Sequence, residues 1–147
     1  MENQNYIQYP EMMSGRKILY VHGFASSGAS GTAKSLRILM PNAEVISPDL
    51  PVSPLKAMEL LHNICETQKP DLIIGTSMGG LYTEQLYGFN RILVNPAFQI
   101  GETLKTLHGM GKQKWLNPRE DGETEFWITQ TEVDEFKQVM ADRKSVV

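Results

Sequence analysis

The sequence has little of what would place it in a specialised class of protein. Its 147 residues contain a single cysteine, Cys65, so no disulfide can form within the chain. No apolar run approaches the ~18 residues that a membrane-spanning helix needs. Lysine and arginine number 14 against 17 aspartate and glutamate, so the net charge of −3 offers no basic surface to nucleic acid. These absences argue against a disulfide scaffold, a membrane protein and a nucleic-acid-binding protein.

Signals for secretion and for cofactors are also missing. The first residues, Met1–Asn5, lack the basic and apolar regions of a signal peptide, which together with the lone cysteine predicts a cytoplasmic protein. His22, His62 and His108 do not have the spacing of metal ligands, so no metal is predicted. The Ser/Gly-rich loop at 25–31 would suit a phosphate, but the Gly-Lys-Ser/Thr core of a phosphate-binding loop is absent. No cofactor is therefore predicted.

One stretch carries a strong local pattern. The β-branched run that begins at Leu72 enters Gly75–Gly79, with the sequence Gly-Thr-Ser-Met-Gly, and leaves as a helix-permissive segment. Gly-x-Ser-x-Gly after a strand is typical of a nucleophile elbow, a tight strand-to-helix turn that strains the serine and exposes its hydroxyl. A Cβ at position 75 or 79 is expected to collide with neighbouring backbone. The alternative is an ordinary Gly/Ser turn; the flanking patterns favour the elbow, with Ser77 as nucleophile.

Strand patterns alternate with helix patterns over residues 16–98. The apolar strand runs lie at 18–21, 43–47, 72–75 and 91–94. The helix patterns lie at 32–40, 54–68 and 81–88, the second with a Ser53 cap and Pro54 at its first position. This alternation predicts an α/β fold, with helices on both faces of a parallel sheet and right-handed crossovers.

The inner face of the second helix is predicted to consist of four residues. They are Leu55, Met58, Leu61 and Cys65, which recur at helical spacing. Cys65 is therefore interpreted as a small core residue rather than as a nucleophile.

The domain organisation is predicted as follows. Residues 1–15 form a flexible N-terminal extension, and residues 16–147 form a single domain. Within that domain, residues 99–128 form a cap or a long excursion, because they are rich in glycine and carry only a short apolar stripe. Residues 125–128 are predicted to be extended, and Thr129–Glu132 has the form of a capping box that begins a last helix.

The ends of three predicted strands point to one site. In an open parallel sheet, ligands bind beyond the carboxyl ends of the strands. The first strand ends at His22–Phe24, the third at Ser77 and the fourth at Asn95, so these residues are expected at the same edge.

Acyl transfer at this edge needs a base for the serine and two N–H donors for the oxyanion. The residue after the nucleophile, Met78, is expected to supply one donor. Phe24, in the loop after the first strand, is expected to supply the other, and Gly23 is expected to let that loop approach closely.

Four blocks in the chain carry a family resemblance. They are His22–Gly28, Pro48–Pro51, Gly75–Gly80 and Val94–Ala97. In this order they resemble the small YqiA/YcfP-type esterases of the α/β-hydrolase superfamily. The resemblance covers residues 16–98 well and 99–140 more loosely. It implies a serine hydrolase that acts on a small-molecule ester or thioester, with Ser77 as nucleophile and Phe24 and Met78 as oxyanion donors.

The acid and base of a triad are not identified. In the superfamily an acid and then a histidine follow the serine, on loops after later strands. His108 is the only histidine after Ser77 and is interpreted as a surface or cap residue, while Asp121 and Asp134 follow no strand. Members of the family continue into two more strands that carry these residues, so the resemblance implies a C-terminally truncated member with an exposed sheet edge.

Three further polar residues are interpreted as structural. His22 is expected to support the loop after the first strand, His62 to lie on a helix, and Asp49 to hydrogen-bond within a loop.

Three functions remain open. The first is a serine hydrolase, and the second is a catalytically impaired protein of the same fold that binds a ligand or a partner. The third is an acyltransferase or thioesterase that uses the same serine on a carrier-linked acyl group. The sequence makes no prediction of the oligomeric state.

Overall fold

A four-stranded parallel sheet lies at the centre of the computed structural model, which describes residues 7–105 and 110–142. Its strands are β1 (Lys17–Val21), β2 (Glu44–Ile46), β3 (Leu72–Thr76) and β4 (Arg91–Val94), in the spatial order β2-β1-β3-β4. The connecting helices are α1 (Gly31–Leu39), α2 (Pro54–Gln68) and α3 (Met78–Thr83). Because such crossovers are right-handed, α1 covers one face and α2 and α3 cover the other. The predicted fold class is confirmed.

The segment after β4 contains more regular structure than its composition predicts. It comprises α4 (Ile100–Thr103), β5 (Gly111–Lys114) and β6 (Glu125–Ile128), and β5 and β6 form an antiparallel pair. The extended piece at 125–128 was predicted and is confirmed. The sequence of β5, Gly-Lys-Gln-Lys, has no apolar alternation to reveal it, since its order depends on pairing with β6.

The last helix, α5 (Gln130–Ala141), begins at the predicted capping box. The Thr129 N–H and the Thr129 hydroxyl both donate to Oε1 of Glu132, at 2.7 and 2.6 Å. Val133, Phe136 and Val139 form its buried face, and α5 packs on α2.

The buried stripe of α2 differs from the prediction at one residue. Met58, Leu61 and Cys65 are buried as predicted, and burial raises the pKa of the Cys65 thiol to about 11, so it stays protonated. Leu55 is 39% exposed, so its assignment to the inner face was wrong. The buried residues of α2 are Pro54, Ala57, Met58, Leu61 and Cys65. They form one face of the helix, and Leu55 lies beside that face rather than on it.

The elbow helix α3 is shorter than predicted, ending at Thr83 rather than at 88. Nη1 of Arg91 donates to the carbonyl oxygens of Thr83 and Glu84. The Thr83 carbonyl also accepts from the Leu86 N–H at 3.0 Å, so the chain continues beyond α3 as a tight turn that Arg91 contacts.

Residues 9–15 hydrogen-bond to the end of α1. The Tyr9 N–H donates to the Leu39 carbonyl at 2.7 Å, and the Gly15 N–H donates to the Asn42 carbonyl at 3.0 Å. The predicted domain boundary at residue 16 stays a prediction. No helix among the described residues is long and apolar enough to cross a membrane.

Candidate active site

Ser77 lies at the tip of the turn between β3 and α3. Its φ of 55° and ψ of −118° lie in a region that costs a non-glycine residue about 1–3 kcal/mol. Two bonds to the end of β4 hold it there: the Ser77 N–H donates to the Val94 carbonyl, and the Ser77 carbonyl accepts from the Ala97 N–H, both at 2.9 Å. The side chain is exposed. The turn is therefore tight and strained and exposes the serine, which are features that the predicted nucleophile elbow requires.

Three glycines make this turn sterically possible. A Cβ on Gly79 would overlap the Val21 carbonyl, and a Cβ on Gly75 would overlap the Gly79 backbone, as the motif predicts. Gly80 was not singled out from the sequence, yet a Cβ there would lie only 2.9 Å from Cα of Pro96. The sequence could not reveal this contact, because it joins α3 to the loop after β4.

The loop after β1 runs beside Ser77. A Cβ on Gly23 would lie 3.5 Å from Cβ of Ser77, which is an ordinary contact distance. The loop is therefore close to Ser77, but glycine is not required at position 23 for that approach. Among the described residues, no backbone carbonyl accepts from the N–H of Phe24 or Met78. Both N–H groups, the predicted oxyanion donors, remain available to a ligand.

His22 is buried under this loop with both ring nitrogens in use. Its Nε2 accepts from the Leu50 N–H at 3.0 Å, so Nδ1 carries the proton and donates to the Gly23 carbonyl at 2.8 Å. Burial is the largest cause and lowers the pKa of His22 below its ordinary value. The hydrogen bond to the Gly23 carbonyl is the next cause and raises it; the charge of Arg119 lowers it and that of Asp49 raises it by less. This arrangement fits a structural histidine that links two loops and cannot serve as a base.

The other candidate acids and bases are occupied or distant. Asp49 accepts from the Gly28 N–H at 2.8 Å and from the Glu120 N–H at 2.9 Å, so both carboxylate oxygens hold loops. His62 is exposed on α2, and Asp134 is exposed on α5. Asp121 bonds within its own turn, to the Glu123 N–H and to Arg119. His108 lies outside the described residues.

A cavity of about 270 Å³ opens at Ser77. The described residues that line it carry no charge; they are Phe24, Ser77, Ala97, Ile100, Thr103, Leu104 and Gln113. Within the described ranges, no group of three or more His, Cys, Asp or Glu residues could hold a metal ion.

The fold and the elbow together define a protein of the α/β-hydrolase type. Among solved structures, the chain is similar to the monoacylglycerol lipase of Paleococcus ferrophilus, with a TM-score of 0.52 over 93% of this chain and 71% of that one. The two share 18% sequence identity, so this likeness concerns the fold.

The chain belongs to the uncharacterised protein family UPF0227, whose profile matches residues 17–145. The predicted resemblance to YqiA/YcfP-type esterases is thereby confirmed, and a hydrolase of the α/β-hydrolase type follows from that resemblance.

Proposed function

We propose that this protein cleaves carboxylic esters or thioesters through an acyl-enzyme on Ser77. The observation that carries the proposal is the strained backbone of Ser77, with φ 55° and ψ −118°, at a cavity whose described lining residues carry no charge. Strain at a turn persists only where the surrounding structure enforces it, and such residues cluster at active sites. The two hydrogen bonds between Ser77 and the end of β4 hold the serine in this conformation.

The chemistry follows from the groups around the serine. Oγ of Ser77 attacks the carbonyl carbon, and the carbonyl oxygen becomes an oxyanion that accepts from the N–H groups of Phe24 and Met78. Such a donor is worth about 3–4 kcal/mol in the transition state. Collapse expels the alcohol or thiol, which leaves with the proton from Ser77. Water then attacks the acyl-serine, releases the acid and restores the hydroxyl.

No histidine among the described residues is placed to act as the general base. His22 has no free nitrogen, and His62 is exposed on α2. His108 is the only other histidine in the chain. If no base acts, we expect a residual acceleration of about 10³–10⁴-fold over water, the level left when triad members are removed.

The cavity limits the substrate. Its described lining residues are apolar or neutral, so a neutral acyl chain fits better than a charged one. An apolar cavity of about 150 Å³ holds a benzene molecule. By that comparison, a cavity of about 270 Å³ has room for roughly ten carbon-sized atoms.

Hydrolysis of 4-nitrophenyl butyrate by the full chain tests the proposal. We expect turnover in the wild type and its loss in Ser77→Ala. The matched control is Ser14→Ala, since Ser14 is exposed before β1, at the opposite end of the sheet. A His108→Ala variant tests whether that histidine is the base. Equal rates for the wild type and Ser77→Ala would contradict the proposal and favour a non-catalytic binding protein.

A further inference from the structure

We infer that residues Trp115–Glu120, here called the strap, position the oxyanion loop Phe24–Gly28 for catalysis. The inference rests on the proposed function, and it assigns the strap a positioning role rather than contact with the substrate. The strap belongs to the excursion after β4 and is separated from the loop by about 90 residues of sequence.

Three consecutive residues of the strap bond to three consecutive residues of the loop. The Leu116 N–H donates to the Ala25 carbonyl at 2.7 Å. Nδ2 of Asn117 donates to the Ser26 hydroxyl oxygen at 2.9 Å, and the Ser27 hydroxyl donates to the Pro118 carbonyl at 2.6 Å. This register fixes the loop along its length rather than at a single point.

The loop also contains a strained residue next to Phe24. Ala25 has a φ of 64°, in the left-handed region, which costs a non-glycine residue roughly 1–2 kcal/mol. Ala25 directly follows Phe24, and its carbonyl is the acceptor of the bond from Leu116. Loss of that support would let Ala25 relax and turn the Phe24 N–H away from the oxyanion position.

Asp49 adds a second link between the same two segments. One carboxylate oxygen accepts from the Gly28 N–H of the loop, and the other accepts from the Glu120 N–H of the strap. Nη2 of Arg119 also donates to the Leu50 carbonyl at 3.2 Å. The strap therefore binds both the loop and the 49–50 turn beside it.

Aromatic packing continues from the strap to the donor residue itself. The Trp115 ring lies against Phe126 with centroids 4.0 Å apart, and Phe126 meets the Phe24 ring edge-on at 5.6 Å. The Arg119 guanidinium covers the outer side of Trp115, 4.1 Å from its ring centre, and its side chain is only 8% exposed. The position of Phe24 is thus set by side-chain packing as well as by backbone bonds.

The test removes one strap bond and restores it with a different proton donor. Asn117→Ala deletes the bond to Ser26, whereas Asn117→Asp can accept a proton from the Ser26 hydroxyl and keep the contact. With 4-nitrophenyl butyrate, we expect Asn117→Ala to lower kcat about tenfold with KM unchanged, and Asn117→Asp to recover most of it. An unchanged KM separates transition-state positioning from substrate binding.

Thr129→Ala is the matched control, because it removes a helix cap without touching the loop or the strap. We expect it to lower stability and to leave kcat within about twofold of the wild type. If kcat simply followed stability across the three variants, or if Asn117→Asp behaved like Asn117→Ala, the inference would be wrong.

Amide hydrogen exchange in the free protein gives a second readout that does not depend on turnover. We expect the amides of Ser26 and Gly28, which donate to the Gly23 carbonyl and to Asp49, to exchange at least about tenfold faster in Asn117→Ala, relative to core amides of β1, and to stay near wild-type rates in Thr129→Ala. Unchanged exchange in Asn117→Ala overturns the inference whether or not the protein is active. A wild type without turnover but with this exchange pattern would contradict only the proposed function.

Discussion

At the scale of single residues, His22 ties the stability of the site to pH. Because burial lowers its pKa below the ordinary value of 6.5, the folded protein holds this histidine neutral. The unfolded chain binds the extra proton first as pH falls. The contribution of neutral His22 to the free energy of unfolding is therefore fully present above about pH 6.5 and is lost progressively below that pH.

We predict that the free energy of unfolding of the wild type falls between pH 7.5 and pH 5, and that His22→Gln removes part of this slope. Protonation would place a second N–H of His22 against the Leu50 N–H and break that bond. Urea titrations at several pH values measure the effect. A stability difference between wild type and variant that does not change with pH would contradict this account.

The site residues differ in how far the sequence predicts them. Ser77, Gly75 and Gly79 stand in a motif whose geometric demands are local, so the predicted collisions at the two glycines are found. The sequence did not predict that both ring nitrogens of His22 form hydrogen bonds, because one partner, Leu50, lies on a different loop. The roles of Phe24 and Met78 as donors stay predictions.

At the scale of elements, the close packing of α3 on β1 depends on one glycine. A Cβ on Gly79 would overlap the Val21 carbonyl, which belongs to backbone and cannot move aside cheaply. A Cβ on Gly31, the first residue of α1, would meet no atom within 4 Å.

We predict that Gly79→Ala lowers the free energy of unfolding by about 2–3 kcal/mol or prevents folding, the upper range for overpacking. Gly31→Ala should be neutral or stabilising by up to about 1 kcal/mol, because alanine favours a helix more than glycine does. Thermal and denaturant unfolding of the two variants measure the contrast. Similar stabilities for both variants would contradict the packing described for the elbow.

Elements with local signals were predictable and those that depend on distant partners were not. The helix α2 begins and ends where predicted, because Ser53 and Pro54 define its start. The turn that follows α3 is contacted by Arg91 from a neighbouring strand, and β5 depends on pairing with β6. The burial of Ala57 in place of Leu55 likewise follows from which surface of α2 packs, which the sequence pattern alone did not resolve.

At the scale of the whole molecule, the sheet ends on one side at β4. Only β3 pairs with β4 among the described residues, and Ile92 and Val94 are 47% and 42% exposed. An edge strand with exposed apolar side chains favours association between copies.

We predict that the double substitution Ile92→Lys and Val94→Lys raises, several-fold, the concentration at which the protein begins to self-associate, because lysine on an edge disfavours strand pairing. The double substitution Ile7→Lys and Tyr9→Lys is the matched control, since these residues are 66% and 46% exposed and lie outside the sheet. Light scattering over a concentration series measures the effect. An equal response to both changes would show that net charge, and not the edge, governs association.

The proposed hydrolysis depends on Ser77 being a reactive nucleophile. The most direct measurement is the intact mass of the folded protein after incubation with a fluorophosphonate, followed by peptide mapping, with Ser77→Ala and heat-denatured protein alongside. We predict a single adduct on the peptide that contains Ser77, and none in the variant or the denatured sample. A wild type that forms no adduct, or forms it equally in Ser77→Ala, would contradict the account.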